Sequence, residues 1–263
     1  MPDHLEVCEA AARAGGRVLV EWSGRFAVSK KGARDLVTEA DFAAQREIRR
    51  LLLGAFPDHG FVGEETLPDV PAATAAPDGL RWIVDPLDGT SNYVHGFPAY
   101  CVSVALARGD EILVGTIHDP LRDECFTARA GGGAFLDGRP IGTRPTTDAA
   151  DALVAVSFPP HVTVDSDAVA DFLAVAPHVH AVRRSGSTAL NLAYVACGRL
   201  DAFWVRRIAS WDVAAGLLLV AEAGGVVGPF AGGAAGRVSL DRAAFIAAAT
   251  PHLYAELRGL LPP

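Results

Sequence analysis

The chain has 263 residues, half of them apolar, and its net charge is −8. That length suffices for one large domain or two closely packed ones. The acidic balance disfavours nucleic acid as a partner, because phosphate backbones need Lys and Arg.

Taken in order, Leu5 to Trp22 has the spacing of an amphipathic helix, weakened by Gly15-Gly16. Val28 to Asp35 reads as a polar turn. Thr38-Glu-Ala-Asp41 then starts a helix with Thr38 as N-cap, ended by Gly54 and Pro57. Leu67 to Gly79, rich in Pro and Ala, is expected to be a surface loop. Trp82-Ile-Val opens a short buried strand that Pro86 should stop. Tyr100–Ala107, Ile112–His118 and Glu124–Ala128 follow as strands, with hairpin signals at Gly109-Asp110 and Asp137-Gly138. The first half thus predicts helices packed on an antiparallel sheet.

Near residues 143–152 the texture changes. Strands are expected at Leu153–Ser157, Val179–Arg183, Leu200–Val205 and Phe245–Ala249. Helices are expected at Asp167–Val175, Ser187–Ala196, Val213–Ala223 and from about Pro251. Their alternation implies an α/β second half. The division is therefore 1–145, an α+β half, and 146–263, an α/β half.

Cys8, Cys101, Cys125 and Cys197 form no C-x-x-C pair and read as free, mostly buried thiols of a reducing compartment. Asp3, Glu6 and Glu9 do not suit a signal peptide. No apolar run reaches the roughly 18 residues of a membrane span. A soluble, cytoplasmic protein without a membrane partner is expected.

The chemistry concentrates in Trp82-Ile-Val-Asp85-Pro86-Leu87-Asp88-Gly89-Thr90-Ser91-Asn92. Two carboxylates, a bare glycine and helix-starting residues share one strand end. Hard oxygen ligands suit Mg²⁺, and amides at a helix start suit an anion. By itself the motif is equally an ordinary acidic turn. Asp41, Glu64 with Glu65, and Asp212 add carboxylates at the edges of apolar elements, where each also has a plain role as cap or solvated turn.

Together these blocks resemble the inositol monophosphatase family. The resemblance rests on Asp35-Leu-Val-Thr38-Glu-Ala-Asp41, Gly63-Glu64-Glu65, Trp82 through Pro98, and Trp211-Asp212-Val-Ala-Ala-Gly through Gly225, in that order over most of the chain. It implies a layered α-β-α-β-α fold and a Mg²⁺-dependent phosphatase of small phosphorylated alcohols, working by metal-activated water. Glu64, Asp85 and the Leu87 carbonyl would hold one Mg²⁺, and Asp85, Asp88 and Asp212 a second. A third, weaker ion would lie near Glu64. Asp41 and Thr90 would orient the attacking water, with Glu64 nearby. The amides of Gly89, Thr90 and Ser91 would hold the phosphate. Glu65 would be a motif neighbour rather than a ligand. A homodimer and inhibition by Li⁺ are further implications.

On the substrate side, Ser185-Gly186-Ser187-Thr188-Ala189 resembles the family block that meets the alcohol, so Gly186, Ser187 and Thr188, with Asp88, are expected contacts. Arg183 and Arg184 precede it, as substrate contacts or as ordinary ion pairs. One departure stands out. Seven residues before Asp212, polyol-specific members carry a Glu, but here the residue is Val205, followed by Arg206-Arg207. Valine accepts no hydrogen bond, whereas guanidinium suits phosphate or carboxylate. A more acidic or larger substrate is therefore expected, with Arg206 in contact. Histidinol phosphate, fructose bisphosphate and phosphoadenosine phosphate stand beside inositol phosphates as alternatives. A non-catalytic regulatory protein on the same fold is the alternative from another class.

Overall fold

The structure, a computed structural model, describes residues 2–32, 35–67, 79–159, 161–230, 235, 238–241 and 243–262. The first elements are α1 (His4–Trp22), β1 (Val28–Gly32), β2 (Asp35–Thr38), α2 (Glu39–Ala55), β3 (Gly60–Gly63) and β4 (Leu80–Asp88). Next come α3 (Thr90–Val94), β5 (Cys101–Arg108), β6 (Glu111–Asp119), β7 (Glu124–Arg129), β8 (Gly133–Leu136) and β9 (Arg139–Pro140). Then follow β10 (Leu153–Val156), α4 (Asp167–Val175), β11 (Ala181–Arg183), α5 (Thr188–Ala196) and β12 (Ala202–Ile208). The last are α6 (Ser210–Glu222), β13 (Val226–Gly228), β14 (Ala243–Ala248) and α7 (Pro251–Leu260).

Strand alternation dictates the layering. Along β4 and β5, Trp82, Val84, Val102, Val104 and Leu106 go to one face and join α1 and α2 through Cys8, Leu19, Ile48 and Leu52. Ile83, Cys101, Ala105 and Ala107 go to the other and join α5 and α6 through Leu192, Val195, Val213 and Leu219. A sheet buried on both faces reads as continuous apolar runs. These strands belong to a seven-stranded sheet in the order β3-β4-β5-β6-β7-β8-β9, parallel at β3–β4 and antiparallel beyond.

A five-stranded sheet, β11-β10-β12-β14-β13, covers the far side of α5 and α6 through Ala155, Phe203, Val205 and Phe245. Its other face, with Val154, Trp204 and Ile246, packs under α4 and α7 through Val175, Leu253 and Leu257. The layers are therefore α-β-α-β-α, with α5 and α6 in the middle.

Several expectations shift. Val28 to Asp35 is no simple turn, because β1 and β2 pair there as an antiparallel ribbon. Most of the expected surface loop, 68–78, lies outside the described residues. Gly15 and Gly16 are buried inside an unbroken α1. Among the described residues all four cysteines are free, three of them buried. Among the described residues no helix is long and apolar enough to cross a membrane.

The most consequential shift is in β4. Pro86 does not stop the strand, because the register against β5 slips there. Asp85 pairs with Ser103, but Asp88 pairs with Cys101. Three steps along β4 match two along β5, so β4 holds one extra residue, a bulge. Pro86, which cannot donate to a ladder, is tolerated at such a place.

Candidate active site

The bulge decides the site. In a regular strand, residues three apart face opposite sides. Here Asp85 and Asp88 sit opposite Ser103 and Cys101, which share a face, so both carboxylates are turned toward the middle helix layer. Asp212 reaches the same place from the first turn of α6. Ser103 Oγ donates to the Trp211 carbonyl at 3.2 Å, fixing that turn against β5. Deeper along α6, a side chain at Gly115 would come within 2.9 Å of the Ala215 backbone. Helix and sheet touch at the backbone, and this close approach requires glycine.

Single carboxylate oxygens of Asp85, Asp88 and Asp212 lie within 4.8 Å of one another, with Asp85 and Asp88 buried. Burial is the first cause that pushes their carboxyls up, and the neighbouring carboxylates add to it. Asp85 is driven well above the usual carboxylate range by burial, then by Glu64 and Asp212. Asp212 is pushed up to about 8 by burial, then by Asp88 and Glu64. Asp88 rises to about 6, burial outweighing the hydrogen bonds from Ser187 and the backbone that pull it down. Among the described residues none of the three has a Lys or Arg partner in an ion pair. Like charges gathered in a dry place fit a divalent cation with hard oxygen ligands.

Glu64 is not one of the trio, but its charge bears on all three. Its amide donates to the Val84 carbonyl at 3.1 Å, which holds it beside Asp85. Gln45 fixes the next residue, giving Nε2 to the Glu65 carbonyl at 2.5 Å and taking the Glu65 amide at 2.9 Å.

Asp41 is fully buried at the start of α2. Its Oδ2 accepts from the Thr38 amide at 2.8 Å and the Thr38 hydroxyl at 2.6 Å, closing a capping box. Its Oδ1 faces the Thr90 hydroxyl at 3.3 Å. That hydroxyl also lies 3.2 Å from the Leu87 carbonyl. With one proton, Thr90 serves one acceptor at a time and keeps lone pairs for another donor.

Gly89 precedes α3 at φ 101°, where a Cβ would meet the Ala99 carbonyl at 2.8 Å. Only glycine adopts that conformation readily. No side chain caps the first turn of α3, so the amides of Thr90 and Ser91 follow the glycine unblocked by a capping group.

The substrate-side expectations divide. Gly186 sits at φ 86° against the Asn92 amide, whose Nδ2 donates to the Ala99 carbonyl at 2.6 Å and the Ser185 carbonyl at 2.8 Å. Thr188 is buried and shares a 2.9 Å hydrogen bond with Ser157. Ser187 is buried with its hydroxyl on Asp88. Arg206 has a structural partner: its guanidinium grips buried Asp171 at 2.6 and 3.0 Å and donates to the Pro262 carbonyl. It also stacks 4.4 Å over Phe230. Those contacts engage Nε and Nη2 and hold the guanidinium against Asp171. Arg207 is exposed, at φ 56°.

The model of the inositol monophosphatase family matches residues 3–261. The chain belongs to the inositol monophosphatase family. Similarity to members is spread along the chain. It is 45% identical over 201 residues to the inositol-1-monophosphatase of Rhizobium meliloti, covering 75% of this chain and 73% of that protein. It is 41% identical over 238 residues to the Nus factor SuhB of Xylella fastidiosa, covering 89% and 84%. The crystal structure of extragenic suppressor protein SuhB from Bartonella henselae superposes with a TM-score of 0.88 at 37% identity, covering 97% of each chain. The family is one of phosphoric monoester hydrolases, and the chain is an enzyme of that class.

Sequence reasoning missed the supporting residues. Gln45 and Ser103 gave no signal, and Asn92 and Cys101, read only as a helix-starting residue and a buried thiol, gave none of their supporting roles, since each acts through a contact that only the fold creates.

Proposed function

We propose that this family member is a Mg²⁺-dependent phosphatase that hydrolyses the monoester of a small phosphorylated alcohol by direct attack of water. The observation that carries it is the convergence of Asp85, Asp88 and Asp212 beside the Asp41–Thr90 pair. Glu64, Asp85 and the Leu87 carbonyl would hold one Mg²⁺, Asp85, Asp88 and Asp212 a second, and the vicinity of Glu64 a weaker third. Bound Mg²⁺ supplies Lewis acidity toward phosphate oxygens and makes water a stronger nucleophile near neutral pH.

The chain's own groups position and neutralise, which is most of what phosphoryl transfer asks of a protein. Asp41, fixed by Thr38, orients the Thr90 hydroxyl, whose oxygen accepts a proton from the attacking water while its own proton passes to Asp41. A bond forms between water oxygen and phosphorus, the ester P–O bond breaks, and the departing alkoxide takes a proton from solvent. The amides of Gly89, Thr90 and Ser91 hold the phosphate.

Val205 is buried in β12 opposite Phe245 and offers no acceptor to a sugar hydroxyl. This supports a substrate that does not depend on that contact. With Arg206 holding Asp171, exposed Arg207 beside it is, like exposed Arg183 and Arg184, a cation that could meet a second anionic group. The net charge of −8 and the free thiols support a cytoplasmic enzyme without nucleic-acid partners. Family resemblance supports a homodimer, which sedimentation would test.

Phosphate release should be measured with Mg²⁺ on inositol 1-phosphate, histidinol phosphate, fructose 1,6-bisphosphate and phosphoadenosine phosphate. No release from any of them would overturn the proposal. A strong preference for inositol 1-phosphate would overturn only the substrate argument.

A further inference from the structure

The two oxygens of Asp88 are used unequally. Oδ2 accepts from Ser187 Oγ at 2.6 Å and from the Ala189 amide at 2.7 Å, with Cys101 Sγ 3.8 Å away. A carboxylate oxygen offers about two lone-pair sites, so Oδ2 is filled. The Thr188 backbone adds a further hydrogen bond to this carboxyl. Asp88 offers one oxygen to the cluster with Asp85 and Asp212, and Oδ1 is the one with room for it.

Ser187 is built to do this. It is fully buried, so its hydroxyl reaches no solvent. It caps α5, taking the Leu190 amide at 3.3 Å while giving its proton to Asp88. Asn92 anchors the preceding loop through the Ser185 carbonyl. A carboxyl without such anchors turns freely, because its last torsion is broad.

We propose that Ser187 is a positioning residue that presents Asp88 to a divalent cation through one oxygen. It is not a substrate contact. This rests on the Mg²⁺-dependent reading above and goes beyond it in one respect, ion selectivity. Mg²⁺ demands compact octahedral ligation, whereas Ca²⁺ takes more oxygens and accepts bidentate carboxylates. Tying back Oδ2 denies Asp88 the bidentate mode and favours Mg²⁺.

The test is calorimetric titration of the full chain with Mg²⁺ and with Ca²⁺, without substrate, for wild type, Ser187→Ala, Ser187→Gly and Ser187→Thr. Loss of a group that orients a ligand costs about 10- to 100-fold in metal affinity. Ser187→Ala should weaken Mg²⁺ binding by about tenfold on that scale, with a smaller loss for Ca²⁺. Ser187→Thr should restore the wild-type ratio. If Ser187→Ala does not fold, Ser187→Gly carries the same test, since glycine is tolerated at a helix N-cap. In kinetics, the Mg²⁺ concentration for half-activity should rise while KM at saturating Mg²⁺ stays unchanged. Unchanged Mg²⁺ affinity in the variants lacking the hydroxyl overturns the inference, and so does a raised KM at saturating Mg²⁺. Failure of the wild type itself to bind Mg²⁺ overturns the underlying reading as well, so the two failures are distinguishable.

Discussion

Thr90 Oγ1 lies 3.3 Å from Asp41 Oδ1, although 49 positions of sequence separate the two. The pair joins the start of α2 to the start of α3 and leaves Asp41 with donors on both oxygens. If this pair handles the water, Thr90→Val and Asp41→Asn should each lower kcat by about 10²–10⁴, the usual range for proton-transfer groups. The double variant should lose little more than either single one, because residues acting as a unit are not additive. Mg²⁺ affinity should stay near wild type. Full additivity of the two losses would show that they act apart.

Asp212→Asn should make the metal-free protein more heat-stable. Above about pH 8, where Asp212 is ionised, it removes a like charge that presses on Asp85. A gain of about 1 kcal/mol corresponds to roughly 2–4 °C in Tm for a protein of this class. The same variant should lose the Tm rise that Mg²⁺ produces in wild type. Scanning calorimetry with and without Mg²⁺ reads both effects, and a fall in the metal-free Tm contradicts the argument.

The metal-free protein should also lose stability as pH rises from about 6.5 to 8, the upper part of the span between the ordinary carboxyl value of 3.8 and the value of about 8 at Asp212. Carboxyls raised in the folded state keep protons that the unfolded chain has released. The folded state therefore binds more protons there, and the slope of stability with pH is negative. Asp88, at about 6, contributes at lower pH. Buried His118 is pushed down and opposes this only below its ordinary value of 6.5. Mg²⁺ should cancel the slope, so the Mg²⁺-induced rise in Tm should grow with pH. A flat metal-free Tm across that window would refute the assignment.

Arg206→Ala should destabilise the fold and leave the chemistry alone. Asp171 is buried and would lose both hydrogen bonds. Breaking a buried pair costs 3–5 kcal/mol, and the partial exposure of Arg206 lowers that to about 2–3 kcal/mol. Denaturant unfolding measures the loss, and kcat/KM of the remaining folded enzyme should be unchanged. A large rise in KM with wild-type stability would return Arg206 to the substrate.

Gly89→Ala should cost activity more than its size suggests. The residue would have to hold φ 101° with its Cβ against the Ala99 carbonyl. Such backbone strain is of order 1–3 kcal/mol, and α3 would relieve it by moving its first amides. Phosphate-release rates at saturating Mg²⁺ would show the loss, and wild-type rates would mean that the turn tolerates a side chain.

Much of the layering was legible in the sequence. Both buried faces of β4 and β5 are written as continuous apolar runs, and Thr38 reads as the N-cap of α2. The carboxylates were legible because their motifs are local. What was not legible depends on register and long-range contact. Pro86 suggests a strand end unless the pairing partner is known. Ser187 looks like a loop residue at a helix start, and only Asp88, 99 positions earlier, gives its hydroxyl a purpose. Arg206 beside Arg207 looks like a cationic patch until Asp171 is found beneath it.

The extra residue in β4 has one more consequence. Transplanting the Asp-x-x-Asp spacing onto an ordinary flat strand of some other scaffold would send the second carboxylate to the reverse side. The peptide groups around Leu87 would also be drawn back into the ladder. What can be copied from this protein is therefore a local defect together with its two acids, and a designer who straightened the strand would lose the acids' common aim.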